Sequence, residues 1–477
     1  MVFDNVDVAG PDDEKKVQKR ERFNKLIPRG SGHIIVTTRY FFPAPIIHGF
    51  RISKLTPDES LMVFNAYRCL YDPTVDTSTE EHESRLLLER LDGLPLAMRV
   101  AARYSNDFGG VKAFVDEYVE LEDDFLEEKD DSMSLDQKLN TVWKVPFARL
   151  SRKAYDNERK LYGILCLMAA DSIPVQEMFS SHQVLDTSFK FLESEARSER
   201  VKSLKALKNL GLIDIDNFSS NEASTHRVLS AAFRNSDLGL QSEGELQLAV
   251  DTAAIILNRL FPKYDGNQGL WDKWGQCSKY MKHIEAVIQI FEESEQKSTL
   301  TGRQKLRSSK AMDELMKSCT WYQVELGQAS EALQILNFAE RISLDKESRE
   351  YATICQGYAC VYFDLNHLKE CEKWNKECLR IRQIHLDEND PDIANCRSNL
   401  ANLYTAIGRF EDARTLTSLA MKPLTEDRRE DCFYLGIRYM IMGRTYLRQR
   451  QFDDAERLFD KARLLLESVN AAFLLLL

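Results

Sequence analysis

The chain has 477 residues, of which 43% are hydrophobic and 29% are charged, with only 20 Gly and 12 Pro. This composition excludes a fibrous or disordered protein and indicates a helix-rich globular protein of roughly three domains. The 75 acidic and 64 basic residues give a net charge of −11, which argues against a nonspecific nucleic-acid binder and against binding to anionic membranes. No apolar run approaches the length of a membrane span, no export signal opens the chain, and the cysteines lack zinc-binding spacing, so we expect a cytoplasmic protein with reduced thiols.

The first predicted elements are two buried strands. The segment MVFDNVD begins with three apolar residues and reaches a carboxylate at Asp4. A second apolar strand at 34–36 is followed by Arg39, at the carboxyl end where parallel α/β sheets place their ligands. An arginine there suits a terminal phosphate, because its guanidinium stays charged and offers paired donors.

The next region is predicted to be helical. It contains LDGLPLA at 91–97, in which Pro95 alone would account for a capped or kinked helix. A dense acidic run, DEYVELEDDFLEEKDD at 116–131, is typical of a solvated helix face and linker, with a hinge between domains as the alternative.

The segment from 130 to 240 indicates a winged-helix domain. A helix stops at Gly211 and is followed by a short strand, a polar turn and a second helix after His226. Its one notably basic helix, KSLKALKNL, is too little to predict a DNA-binding role. Residues 241–310 are predicted to be bridging helices, with His283 a packed side chain and not a ligand.

The C-terminal region, residues 311–477, contains a repeat. Three sets of equivalent residues recur at intervals of 42 residues: Tyr362, Tyr404 and Tyr446; Leu368, Phe410 and Phe452; Cys371, Ala413 and Ala455. An earlier unit lies 39 residues before the first of them. Each unit is predicted to be two helices. Small residues would let the helices approach closely: Ala359, Ala401 and Gly443 on the first helix, and Cys378, Ala420 and Ala462 on the second.

These motifs together resemble a known family. The repeats resemble tetratricopeptide repeats in the 42-residue variant of kinesin light chains, and MVFDNVD resembles a Walker B strand. GSGHIIVTTR resembles the sensor segment of NB-ARC domains, LDGLPLA contains their GLPLA motif, and THRVLS at 225–230 resembles their histidine motif. The chain is therefore similar to the STAND-class NB-ARC proteins with tetratricopeptide repeats that are common in filamentous fungi.

The resemblance implies a binding site for ADP or ATP with Mg²⁺. Asp4 would hold Mg²⁺, Arg39 would sense the γ-phosphate, Pro95 would pack near the adenine, and His226 would contact the β-phosphate of ADP. For His226, a packed core histidine is the competing interpretation.

The expected fold class is mostly α. We expect a remnant of a P-loop α/β nucleotide-binding domain at 1–55, a helical domain at 56–129, a winged-helix domain at 130–240, bridging helices at 241–310 and an α-solenoid of repeat helix pairs at 311–477.

The P-loop of this family is missing from the pattern, because the sequence contains no Gly-Lys pair. We expect that the chain starts partway through its nucleotide-binding domain, either as a fragment of a longer receptor or as a short paralogue. Nucleotide affinity and ATPase activity should then be weak, and Asn5 also replaces a second acidic residue that many hydrolytic versions carry. No catalytic residue is assigned.

Two functions compete at this point. The first is a switch in which ADP holds the winged helix, and exchange for ATP releases the repeats to form a homo-oligomer, with a role in non-self recognition or regulated cell death. The second is a scaffold, independent of nucleotide, that binds a protein or peptide on the concave surface of the repeats. Arg397, Arg444 and Arg448 would favour an acidic ligand there, and solvated surface charge is the alternative.

Overall fold

The computed structural model describes residues 2–3, 35–36, 55–91, 93–126, 135–179, 187–193, 196–215, 222–236, 238–240, 243–264, 269–301, 305–343 and 345–469. Helices dominate these residues, which confirms the mostly α fold class. None of the helices in this part of the chain combines the length and the apolar character needed to cross a bilayer.

Strands are short and few within the described ranges. β1 (Val2–Phe3) pairs in parallel with β2 (Ile35–Val36), and β3 (Ile213–Asp214) pairs antiparallel with β4 (Ser224–Thr225). The parallel pairing brings the carboxyl ends of β1 and β2 to the same edge, as in an α/β sheet.

Four helices follow the first sheet: α1 (Pro57–Tyr71), α2 (Glu81–Leu91), α3 (Pro95–Asp107) and α4 (Gly110–Leu126). The start of α1 is fixed by a capping box, in which the backbone N–H of Glu59 donates to the Thr56 hydroxyl and the backbone N–H of Thr56 donates to the Glu59 carboxylate. Most of the acidic run lies in α4, which extends to Leu126. Phe64, Leu87 and Met98 are fully or almost fully buried between these helices.

The next region packs helices around the β3–β4 hairpin: α5 (Leu135–Leu150), α6 (Asp156–Leu165), α7 (Val175–Met178), α8 (Arg197–Asn209) and α9 (Arg227–Asn235). Ile173 forms an antiparallel bridge with Ala223 beside the hairpin. Just after α8, Gly211 adopts a φ of +72°, and a Cβ there would lie 3.2 Å from the Cα of Val100. Glycine at this turn therefore allows α3 to pack directly against it.

Two long helices lead to the repeats: α10 (Glu243–Leu260) and α11 (Trp274–Thr301). Phe261 and Tyr264, just after α10, pack edge-to-face against Tyr322 and Trp321 of the first repeat. His283 of α11 is fully buried, as its interpretation as a packed side chain predicts.

The repeats form four helix pairs among the described residues: α12 (Lys310–Glu325) with α13 (Ala329–Ile342), α14 (Arg349–Asp364) with α15 (Leu368–His385), α16 (Pro391–Ala406) with α17 (Phe410–Met421), and α18 (Arg429–Arg448) with α19 (Phe452–Ser468). The residue at the turn within each pair has a positive φ: +66° at Gly327, +58° at Asn366, +83° at Gly408 and +62° at Arg450. These residues stand 39 and then 42 apart, so the backbone repeats with the sequence.

The small residues of the repeat lie inside the array as predicted. Ala401, Ala420 and Ala462 are completely buried, and a Cβ on Gly443 would lie 2.7 Å from the Phe459 ring. Phe452, at the position equivalent to Leu368 and Phe410, lies at the surface, with 62% of its surface area exposed.

Candidate functional site

Two of the four predicted nucleotide residues, Asp4 and Arg39, lie outside the described residues. The other two, Pro95 and His226, lie on elements that meet. In the described ranges, no group of three or more His, Cys, Asp or Glu side chains is suited to hold a metal ion.

The GLPLA segment sets the start of α3. Gly93 adopts a φ of +67°, and a Cβ there would lie 3.1 Å from the carbonyl oxygen of Leu55, so only glycine fits without strain. Leu94 is extended, as the residue before a proline must be, and Pro95 takes the first helical position, where no backbone N–H is needed. Pro95 itself is exposed.

The face of α3 that begins at Pro95 meets the β3–β4 hairpin through charged side chains. Arg99 and Arg103 follow Pro95 at intervals of four residues, which places all three on one side of the helix. The guanidinium of Arg99 donates to the carboxylate of Asp214 at 2.5 Å, and that of Arg103 approaches the other oxygen at 3.4 Å. The Arg103 guanidinium also stacks 4.4 Å from the ring centre of Tyr71.

His226 lies at the other end of the same hairpin. It is the N-cap of α9, and its Nδ1 accepts a hydrogen bond of 3.3 Å from the backbone N–H of Val228. Partial burial lowers the pKa of His226, and the positive charges of Arg99 and Arg227 lower it further. The neutral ring with Nδ1 accepting carries its proton on Nε2, which makes Nε2–H a hydrogen-bond donor.

We call Pro95, Arg99, Arg103, Asp214 and His226 the α3–hairpin cluster. The two guanidinium groups contact a single carboxylate, and the neutral imidazole of His226 offers an N–H donor beside the hairpin, so these donors would suit one further anionic group. The cluster thus brings the GLPLA helix and the histidine motif to one place.

Sequence reasoning missed Arg99, Arg103 and Asp214. The four-residue spacing after Pro95 is a signal that could have identified the two arginines. Asp214 follows Arg99 by 115 residues, and no local pattern pairs two residues at that separation.

A second candidate site is a cavity of about 300 Å³ at the first repeats. We call it the repeat cavity, and its lining residues are Lys263, Tyr264, Glu314, Lys317, Ser318, Arg349, Glu350, Thr353 and Asp392. Glu314 and Thr353 stand 39 residues apart, and Glu350 and Asp392 stand 42 apart. Because these are the repeat spacings, the first helices of three successive repeats present equivalent positions to the cavity.

The lining of the repeat cavity is polar and contains both positively and negatively charged side chains. Among the described residues, Lys317, Arg349, Glu350 and Asp392 form no ion pair. Glu314 accepts a hydrogen bond of 3.0 Å from the side-chain amide of Asn258. Charges that form no ion pair in the described part of the chain can pair with those of a bound ligand.

One expectation about the repeat surface is wrong. Arg397, expected to be exposed, is only 6% exposed and donates to the backbone carbonyl and the carboxylate of Glu388, at 3.2 and 3.1 Å. Its guanidinium caps the turn before α16 and is not offered to a ligand. Arg444 and Arg448 are exposed.

Comparison with known proteins identifies the repeat. Residues 393–416 match the family model of the tetratricopeptide repeat, which indicates a role in protein–protein interaction. A search of curated proteins returns no match.

Two solved structures are similar to this chain at low TM-scores. BtubC (BKLC) from P. vanneervenii is 18% identical with a TM-score of 0.32, covering 48% of this chain and 93% of its own. A signal-transduction ATPase with numerous domains (STAND) with a tetratricopeptide repeat sensor, from Pyrococcus horikoshii, is 14% identical with a TM-score of 0.31, covering 98% of this chain and 68% of its own. At these TM-scores neither similarity bears on the function of the chain.

Proposed function

We propose that the chain acts as a nucleotide-regulated STAND switch, with NB-ARC motifs, a winged helix and a tetratricopeptide array. The observation that carries the proposal is the ion pair between Arg99 and Asp214, which ties the GLPLA helix to the hairpin that precedes His226. The pair supports a shared site for two motifs that are separated by more than a hundred residues, as a common ligand would require.

The described elements also support the winged-helix assignment. Helix α6, the bridge at Ile173, helices α7 and α8 and the β3–β4 hairpin follow one another in the order of that domain. The parallel β1–β2 pair supports a nucleotide-binding sheet upstream. We propose a cytoplasmic switch with no nucleic-acid partner, whose activated form oligomerises in non-self recognition or regulated cell death.

In this switch the α3–hairpin cluster would bind the diphosphate end of ADP. The Nε2–H of His226 would donate to a β-phosphate oxygen, and Pro95 would pack against the base. Asp4, with Mg²⁺, and Arg39 keep the roles that the family resemblance implies. ADP would supply the anionic group that the cluster is suited to hold.

Titration of Mg·ADP into the full chain, followed by the imidazole NMR signals, tests this proposal. Because the chain lacks a Gly-Lys pair, we expect a dissociation constant on the order of a millimolar. The signal of His226 should shift, and His226→Ala should weaken binding, whereas His82→Ala, at an exposed site in α2, should not. The assignment would be contradicted if Mg·ADP left the NMR signal of His226 unchanged, or if His226→Ala bound Mg·ADP with the affinity of the unaltered chain.

The second candidate function is a protein-interaction scaffold that works without nucleotide. The repeat cavity favours it, since its unpaired charges would suit a charged peptide segment. A peptide array probed with the full chain would identify binding sequences. Binding should be reduced by Lys317→Glu and retained in Lys369→Glu, an exposed lysine of α15 outside the cavity.

The two functions are separated by adding Mg·ADP to the same peptide assay. A switch predicts that peptide affinity changes when ADP binds, because the two ligands are then coupled through the fold. Equal peptide affinity at saturating ADP would favour the scaffold.

A further inference from the structure

Two buried cysteines meet between successive repeats. Cys378 lies on α15, the second helix of one repeat, and Cys396 lies on α16, the first helix of the next. Their sulfur atoms are 3.2 Å apart, and each side chain is only 1% exposed. A disulfide bond of about 2.0 Å would need the sulfurs to approach by roughly 1 Å.

A buried arginine lies against this pair. The guanidinium of Arg382 donates to the Cys396 sulfur at 3.2 Å, to the backbone carbonyl of Asp392 at 3.0 Å and to the side-chain carbonyl of Gln356 at 2.7 Å. Arg382 is 6% exposed, and it forms no ion pair with a carboxylate in the described part of the chain.

This arrangement favours a thiolate at Cys396. A guanidinium remains charged even when buried, and a buried charge needs a compensating partner. Of the three groups to which Arg382 donates hydrogen bonds, two are neutral carbonyls, and the third is the Cys396 sulfur, which can become an anion. The hydrogen bond with Cys378, helped by the charge of Arg382, lowers the pKa of Cys396, while the same bond together with burial raises the pKa of Cys378.

We propose that Cys378 and Cys396 form an oxidisable pair that a peroxide converts to a reversible intrachain disulfide. The Cys396 thiolate attacks one peroxide oxygen and breaks the O–O bond, which gives a sulfenic acid and, for hydrogen peroxide, one water after protonation. The Cys378 sulfur then attacks the sulfenic sulfur, the S–S bond forms, and the hydroxyl leaves as a second water with the thiol proton. Both sulfurs are oxidised by one electron each, and the peroxide accepts both electrons.

The bond would join two repeats beside the repeat cavity. Asp392 lines that cavity and its carbonyl is held by Arg382, so the pair and the cavity share one turn of α16. A disulfide here would fix α15 against α16. In a reducing compartment such bonds are mostly transient and redox-sensing, which fits a reversible modification. This inference depends on neither of the proposed functions.

Oxidation of the full chain tests the proposal. The chain is treated with hydrogen peroxide, free thiols are alkylated under denaturing conditions, and peptides are analysed by mass spectrometry before and after reduction. We expect a crosslinked peptide pair containing Cys378 and Cys396 that dithiothreitol separates. It should disappear in Cys378→Ser and in Cys396→Ser and remain in Cys371→Ser, a matched control in which the buried sulfur contacts Asn375. The proposal would be overturned if Cys378 and Cys396 were still reduced under conditions in which the exposed Cys69 has been oxidised.

The role of the Arg382 guanidinium is tested by the rate at which the crosslink between Cys378 and Cys396 forms. Arg382→Met should slow formation of the crosslink about tenfold, because the thiolate loses its counter-charge, and Arg382→Lys should restore most of the rate. If Arg382→Met forms the crosslink as fast as the unaltered chain, the thiolate at Cys396 is not stabilised by Arg382, and that step of the proposal is wrong. Native circular dichroism of each variant shows that the rates compare folded proteins.

Discussion

The repeat array and the α3–hairpin region join their helices in different ways. In the array, small residues at equivalent positions are fully buried, as Ala401, Ala420 and Ala462 show, and neighbouring helices approach until large side chains fill the gaps. In the α3–hairpin region, Arg99 and Arg103 contact Asp214 across the interface, and about a third of the Arg99 and Asp214 side chains remains exposed. Close packing makes the array rigid, whereas a partly exposed ionic contact can be exchanged for a ligand contact.

Because the array is closely packed, we expect overpacking of a buried small residue there to cause the largest loss of stability. Ala420→Leu should lower the free energy of unfolding by about 3 kcal/mol, because the added atoms have no space in a fully buried position of α17. Ser418→Leu, at an exposed position of the same helix, should change it by less than about 0.5 kcal/mol. Urea unfolding measures both. Equal stabilities of the two variants would show that the array is not closely packed.

The next largest effect is expected at the junction of the two regions, at His283. Burial lowers the pKa of His283 to about 4, and neither ring nitrogen has a well-formed hydrogen bond among the described residues. The folded state therefore favours the neutral ring. The resulting contribution of His283 to the free energy of unfolding is complete above the ordinary pKa of 6.5 and is lost as the pH falls towards 4. Between pH 7 and pH 5 the loss should be about 2 kcal/mol.

Urea unfolding of His283→Phe at the two pH values isolates this loss. The variant should lose about 2 kcal/mol less than the unaltered chain on acidification, and the control His82→Phe, at an exposed histidine, should lose as much as the unaltered chain. The same pH dependence in His283→Phe would exclude His283 as its source.

The ionic contact of the α3–hairpin region should contribute less. A double-mutant cycle of Arg99→Met and Asp214→Asn is expected to give a coupling of about 1 kcal/mol, because the pair is partly shielded from water. The pair of Arg85 and Asp58, in which both side chains are exposed, should give a coupling near zero. Equal coupling in the two pairs would mean that Arg99 and Asp214 do not hold the hairpin against α3.

The last expected effects, of about 1 kcal/mol or less, concern the turns of the array. Arg450 occupies the left-handed turn position at which two other repeats have glycine, with a φ of +62°. Arg450→Gly should raise the free energy of unfolding by about 0.5 kcal/mol, since removal of the Cβ strain exceeds the added freedom of the unfolded chain. Gly408→Ala should lower it by about 1 kcal/mol at the equivalent turn. A destabilised Arg450→Gly would show that the arginine is unstrained.

The sequence predicted the array well and the cluster only in part. Small residues and left-handed turns recur at a fixed spacing in the array, and each repeat packs only against its neighbours, so a local pattern contains the structural information. Pro95 and His226 were singled out by motifs, and their roles at a nucleotide stay predictions. Their connection through Arg99 and Asp214 was not singled out, because it joins side chains from distant parts of the chain, and the burial of Arg397 depends on a turn that the repeat pattern does not specify.

We propose that the GLPLA helix and His226 share one site, and an NMR titration of the His226 imidazole in Arg99→Met tests this. The charge of Arg99 lowers the pKa of His226, so we expect a higher pKa in this variant and an unchanged pKa in Arg85→Met, where the arginine pairs with Asp58 and Glu81 instead. An unchanged pKa in Arg99→Met would place Arg99 away from His226 and contradict the shared site.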